Sequence, residues 1–396
     1  MRLPGQVVGD EVPTICMRHL QIPARPVKIW AVSAPHTPLH LRGGRALLAG
    51  ELHHDVDVLV EGGRVAAVGA DLPTPAGARV VDVGGGVVAP GLVDLHVHAL
   101  DGAGLVGGGA PDVPGLSLAL AARGVTGFLA TTVAAPLEEL VRVLAGLPYE
   151  VTGARCLGVH LEGPWLAADR SGAQPKTALR APEAGELAGL LAHGRPALLT
   201  LAPELAGADA LISAALAAGV VVALGHSAAT YEGAVRAIDA GARHITHCFN
   251  AMASLHHREP GLVGAALDRC EVTVEAIADG EHLHPAVVRL LWRACGPERV
   301  CLVSDAVDVE LPGTAAARLA DGTLAGSRIG LDAAVRNVVG WGIPLADALT
   351  MASTTPAGVL GLSHRIEAGA PADLVVLDGR LEVALTVVDG SVVWSR

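Results

Sequence analysis

Six residues of this chain have the types and spacing for shared chemistry: His96, His98, Glu162, His226, His247 and Asp305. His96 and His98 end the apolar stretch that begins at Val87 and stand at i and i+2. On a β-strand that spacing puts both imidazoles on one face, and two imidazoles on one rigid element are half of a metal site. The other four each follow directly on a short apolar run. Histidines plus a carboxylate are the donor set of Zn²⁺ or Fe²⁺, and a catalytic ion keeps one position for water. Asp305 would take the proton from that water and deliver it later to a leaving group. Singly, each residue has an ordinary explanation: two unrelated core histidines, a helix-start carboxylate at Glu162, a cap at His226-Ser227. All six at the ends of successive apolar runs is a pattern those explanations do not produce.

Such residues need a scaffold that gathers strand ends. The middle of the chain alternates β-branched runs with Ala/Leu-rich stretches, the pattern of a parallel β/α fold. Strands are predicted over 127–131, 156–162, 198–202, 220–226, 244–247, 273–278 and 300–305, with 87–98 as the opening one. That makes about eight, the number with which a barrel closes. Helices such as 234–240 and 345–353 fill the gaps. The predicted fold class is therefore α/β, a (β/α)8 TIM-like barrel, whose C-terminal mouth is where active sites sit.

The two ends read differently. Runs 55–60 and 64–68 flank Gly62-Gly63, a β-hairpin signature. Further short strands are predicted over 79–83, 372–377 and 385–394. Strand-rich ends around a different middle predict a small β-sandwich domain from 39–88 plus 362–396, with the barrel over 89–361. Residues 1–38 are Pro-punctuated and lack a sustained period. They read as an N-terminal extension, either disordered or the product of an over-early start.

Composition excludes several classes. Hydrophobic residues make up 51% and charged residues 17%, enough for a large core. A formal net charge of −12 argues against nucleic acid or an anionic membrane as partner. An anionic substrate must then be held by a local cluster. The six cysteines form no C-x-x-C pair and several sit in apolar runs, so reduced thiols and a cytoplasmic location are expected. The start of the chain lacks the apolar core of a signal peptide, and no run is long enough to span a membrane.

The motifs are narrower than the fold. Pro90-Gly91-Leu92-Val93-Asp94-Leu95-His96-Val97-His98 resembles the metal-binding opening of the amidohydrolase superfamily. His160-Leu161-Glu162-Gly163-Pro164-Trp165 resembles the N-acetylglucosamine-6-phosphate deacetylase family within it. Segments 225–231, 246–252, 258–261, 278–282, 304–306 and 335–339 follow in that family's order, so the resemblance covers residue 39 to the C-terminus. It implies a hydrolase that splits the N-acetyl group of N-acetylglucosamine 6-phosphate into acetate and glucosamine 6-phosphate. It implies Glu162, His226 and His247 as the main metal ligands, His96 and His98 as holders of a second ion, and Asp305 as catalytic acid/base. One or two divalent ions, Zn²⁺ or Fe²⁺, would be bound per subunit. Substrate would be held by the main chain of Asn250 and Ala251, by His282, and by Arg258 reaching in from a neighbouring subunit, hence a homodimer. An Arg fork, an imidazole and backbone N–H groups would capture a phosphate locally despite the negative net charge.

The chain departs from that family at several places. Gln174 stands where a His near the substrate is usual; it can donate a hydrogen bond but cannot carry a proton. Arg328 brings bulk and charge where a small hydroxyl residue is usual, and Cys248 replaces Leu beside His247. These changes leave the metal residues whole and bear on the substrate. Two alternatives follow: a related amidohydrolase acting on N-acetylgalactosamine 6-phosphate or another N-acyl compound, and a non-catalytic scaffold, which retention of all six residues argues against.

Overall fold

At Gly91 the chain passes from one β-sheet to another. In the computed structural model, which describes residues 37–105, 111–183, 185–308 and 314–396, the apolar run that starts at Val87 is divided there. Val87–Pro90 belongs to a small outer sheet and Leu92–Val97 opens the barrel. Gly91 packs so closely on Thr126 that a Cβ would run into its side chain, and its N–H donates to the Asp373 carbonyl at 2.9 Å. The absence of a side chain is what lets the chain turn there against the strand Val125–Thr132. Residues 1–36 are not described, so the reading of 1–38 as an extension lies outside the described residues but for its last two positions.

The barrel holds eight parallel strands in sequence order: Leu92–Val97, Val125–Thr132, Arg155–Glu162, Pro196–Leu201, Val221–Leu224, His244–Ile245, Thr273–Ile277 and Val300–Val303. Each is followed by a helix, from Val113–Ala121 after the first to Leu331–Gly340 after the last. Apolar strand residues such as Leu129, Leu198 and Val303 fill the interior and others such as Phe128, Leu199 and Leu302 meet the helices, as a sheet covered on both faces requires. Local signals start the helices: Thr230 caps Tyr231–Asp239 by accepting the Gly233 N–H at 3.1 Å. The last strand meets the first through Asp305 N–H to the His96 carbonyl, 2.8 Å, and His98 N–H to the Ala306 carbonyl, 3.0 Å. Closure of the barrel itself therefore sets Asp305 beside the H-x-H pair.

Three strands end two residues earlier than sequence predicts. The runs through His226, His247 and Asp305 stop two residues short of each, because these residues leave extended geometry for φ of +47°, +27° and +44°. The small domain draws Leu39–Leu48, Glu51–Glu61, Arg64–Gly69, Arg79–Asp82 and Val87–Pro90 from the front of the chain. Leu374–Leu377, Val383–Val388 and Ser391–Ser395 come from the back, and the ends join where Leu374 pairs with Pro90. Gly62 and Gly63, both at positive φ, turn the predicted hairpin. Leu41, Val58, Val88, Leu374, Val376 and Leu385 form the domain's own core. Among the described residues no helix is long and apolar enough to cross a membrane.

Gly91→Ala is expected to destabilise the protein by about 1–3 kcal/mol, the range for overpacking a close-packed site. Urea unfolding should show the loss as a lower midpoint at unchanged slope.

Candidate metal centre

The barrel brings all six chemistry-bearing residues to one end, each buried. His96 lies near the end of its strand and His98 just past it, Glu162 is the last residue of its strand, and His226, His247 and Asp305 each stand two residues beyond theirs. For a residue with a Cβ, left-handed backbone costs of order 1–3 kcal/mol and persists only where the surroundings impose it. Here it recurs at three strand ends that carry a site residue. Five of the six line one cavity of about 650 Å³, with His96 directly beneath.

The side chains form two clusters that share one carboxylate. Glu162 Oε1 is 3.0 Å from His226 Nε2 and 3.1 Å from His247 Nε2, and those two nitrogens are 3.1 Å apart. In the second cluster His96 Nε2 and His98 Nε2 are 3.3 Å apart, and each lies 3.3–3.4 Å from Asp305 Oδ1. Glu162 Oε2 also reaches His98 Nε2 at 3.3 Å. Behind the rings, His98 Nδ1 donates to the Thr131 carbonyl at 3.2 Å and His226 Nδ1 to the Arg170 carbonyl at 2.8 Å. A carbonyl can only accept, so these rings carry their proton on Nδ1 and, when neutral, turn bare Nε2 lone pairs inward.

Bare nitrogens and carboxylate oxygens at such distances repel unless a cation stands among them. Burial would lower the His96 imidazole, yet the carboxylates of Asp305, Glu162 and Glu275 outweigh it and hold its pKa well above the usual value. For His98 burial is likewise overcome by Asp305 and Glu162, which push it up to about 9. Burial would raise Glu162 and Asp305, but the surrounding imidazoles hold both below the usual carboxylate range. The site thus draws positive charge, and its two donor sets, His96–His98–Asp305 and Glu162–His226–His247, suit a divalent ion. Cys248 takes no part in these clusters; burial pushes its thiol pKa up.

The residues expected around the substrate fall in two places. Asn250, Ala251, His282 and Gln174 line the cavity. His282 Nδ1 meets Asp279 Oδ2 at 2.6 Å; burial opposes its charge, but Asp279 with Asp305 and Glu281 raises its pKa. The Asn250 side chain donates to the His247 carbonyl at 3.2 Å. Gln174 accepts the Ala134 N–H at 2.8 Å and donates through Nε2 to Glu162 Oε2, so its amide braces a site carboxylate. Arg258 is exposed, lies outside this cavity and sets its guanidinium 2.7 Å from His257 Nε2. Arg328 is half-buried and is not in the lining, where Gly326 is.

Sequence reasoning passed over a polar layer beneath the cavity. Asp94 accepts the His96 and Ser304 N–H groups at 3.2 Å each, and burial pushes its pKa up to about 7. Glu275 contacts His96, His244 and the His247 main chain. His160 bonds Thr200 through Nε2 at 2.7 Å. The available signal was a lone carboxylate inside the apolar run Thr273–Ile277, since a buried charge requires partners. Because His96 and His98, both with raised pKa values, must each lose a proton to bind a metal, zinc affinity is expected to rise with pH above neutrality. Chelator competition between pH 6.5 and 9.5 measures this; a flat profile would contradict it.

Comparison with known proteins agrees with this geometry. Residues 87–393 match the amidohydrolase family. The chain is 39% identical over 349 residues to the N-acetylglucosamine-6-phosphate deacetylase of Bos taurus, covering 79% of this chain and 85% of that protein. It is also 39% identical over 331 residues to the N-acetylgalactosamine-6-phosphate deacetylase of Escherichia coli O157:H7, covering 77% and 87%. The crystal structure of N-acetyl-D-glucosamine-6-phosphate deacetylase from Mycobacterium smegmatis superposes with a TM-score of 0.84 at 35% identity, over 91% of this chain and 100% of that one. With its barrel, its donor clusters and these relatives, the chain belongs to the amidohydrolase family, in the N-acetylglucosamine-6-phosphate deacetylase group.

Proposed function

We propose that this protein hydrolyses the N-acetyl group of N-acetylglucosamine 6-phosphate, releasing acetate and glucosamine 6-phosphate. One observation carries the reading: a single cavity has two buried His/carboxylate clusters at its floor and an Asp-held imidazole, His282, on its wall. Glu162, His226 and His247 would hold a divalent ion, Zn²⁺ or Fe²⁺, and His96 and His98 a second; bound there, it would supply Lewis acidity and a water acidified at neutral pH. Asp305 accepts the proton of the attacking water at its carboxylate. The water oxygen bonds to the acetyl carbon, the carbon–nitrogen bond then breaks, and Asp305 returns the proton to the departing amine.

The remaining residues hold the sugar phosphate. His282, whose pKa Asp279 raises against the effect of burial, faces the phosphate, and main chain at Asn250 and Ala251 lies alongside in the lining. Gln174 keeps Glu162 oriented, its own amide oxygen held by the Ala134 N–H. Arg258 completes the phosphate site of a second copy in a homodimer, a role suited to its exposure and its position outside its own cavity. The buried thiols Cys156, Cys248, Cys295 and Cys301, none of them bridged, support a cytoplasmic location. A second substrate, N-acetylgalactosamine 6-phosphate, is favoured by equal identity to the Escherichia coli relative named for it.

The test is release of free amine from the two sugar phosphates and from unphosphorylated N-acetylglucosamine, on zinc- or iron-loaded protein. Turnover of the glucosamine phosphate is expected to exceed that of both others. Asp305→Asn should lower kcat by about 10²- to 10⁴-fold with metal retained. Preference for the galactosamine ester would select the second substrate, and no turnover of any would reject the reading.

Arg258 can be tested by mixing inactive variants. Arg258→Ala and Asp305→Asn are each expected to be nearly inactive alone. After subunit exchange, a mixed dimer has one intact site if Arg258 acts across the interface, restoring about a quarter of wild-type activity. Recovery of none would place Arg258 with its own subunit's site.

A further inference from the structure

The metal reading leaves the buried carboxylate of Glu275 without a task. Glu275 sits in the strand Thr273–Ile277, has no solvent exposure and lies outside the cavity lining. Its Oε2 accepts from His96 Nδ1 at 3.0 Å and from the His247 main-chain N–H at 2.9 Å. Its Oε1 faces His244 Nε2 at 3.0 Å, and His244 is held in turn by Thr273 Oγ1 at 2.6 Å. Glu275 can also join His96 and His160 in a donor trio. Each of its oxygens already has a hydrogen-bond partner, however, and His96 turns Nε2 toward the cavity clusters.

What separates Glu275 from an ordinary buried ion pair is what its one oxygen joins. His96 belongs to the cluster with His98 and Asp305; His247 belongs to the cluster with Glu162 and His226. The contact to His96 sets which nitrogen of that ring faces the cavity. The contact to His247 pins a main chain whose φ of +27° its side chain disfavours. We infer that Glu275 is a positioning residue for metal binding, coupling the two clusters by holding the His96 ring and the His247 backbone on one carboxylate oxygen. The inference rests on the metal-dependent reading above.

The experiment measures zinc affinity by chelator competition, and zinc content by elemental analysis, for wild type, Glu275→Gln and His96→Gln as full-length proteins. Glu275→Gln keeps the shape but replaces one acceptor oxygen by a donor, so one N–H group loses its partner. It is expected to weaken zinc about 10- to 100-fold at each site the wild type loads, with KM for the sugar phosphate within twofold at saturating zinc. His96→Gln should weaken only the site shared with His98. A purely structural Glu275 would lower the melting temperature and leave zinc affinity unchanged, which would overturn the proposal, as would a loss confined to the His96 site. Should Glu275→Gln fail to fold, Glu275→Asp keeps the charge but withdraws it by a methylene. It must then show weakened zinc at both sites, and wild-type affinity in that variant rejects the coupling. A wild type that binds zinc but turns over neither sugar phosphate would sink the substrate assignment alone.

Discussion

Glu162 Oε1 lies 3.0–3.1 Å from two imidazole nitrogens that are themselves 3.1 Å apart. This crowding of buried electron pairs is unfavourable by itself, and the end of the barrel is arranged to sustain it. The carboxylates raise the imidazoles and the imidazoles lower the carboxylates, so the site is short of positive charge at neutral pH. Protons relieve that shortage in part. A divalent ion relieves it without occupying the lone pairs one at a time.

Holding such a cluster needs rigid supports. Parallel strands provide them because the backbone is hydrogen-bonded on both sides up to the residue before the turn. At His226, His247 and Asp305 the strand is abandoned for a left-handed residue, at a cost the neighbouring strands and the polar layer below offset. Asp94 ties the His96 strand to Ser304, and Glu275 ties His96 to His247. These contacts cross the barrel between distant parts of the chain, so the site is as stable as the closure of the barrel around it.

The negative net charge and the phosphate reading are compatible because capture is local. His282 lies against Asp279, and that carboxylate raises its pKa and so favours its charged form beside the acidic residues of the cavity. The amide of Gln174 is turned to Glu162 and to the Ala134 N–H. A side chain that cannot titrate thus orients a carboxylate without adding charge to the site.

Much of this was legible in the residues alone. Short apolar, β-branched runs, their alternation with Ala/Leu-rich stretches, and polar residues ending those runs predicted a barrel and named the six groups that meet at its mouth, because runs of one residue type are local properties. The Gly62-Gly63 hairpin was legible for the same reason. The split of the opening run at Gly91 was not, since it depends on Thr126 and Asp373 packing against that glycine. Nor was the left-handed turn at three strand ends, which local propensity disfavours and only tertiary contacts impose. Glu275, Asp94 and Gln174 acquired their partners across many intervening residues, and a buried charge reveals its purpose only when those partners are in place. The chain's order of residue types determined which groups could do chemistry. Barrel closure decided which oxygens and nitrogens meet, because contacts between distant strands are set by three-dimensional packing.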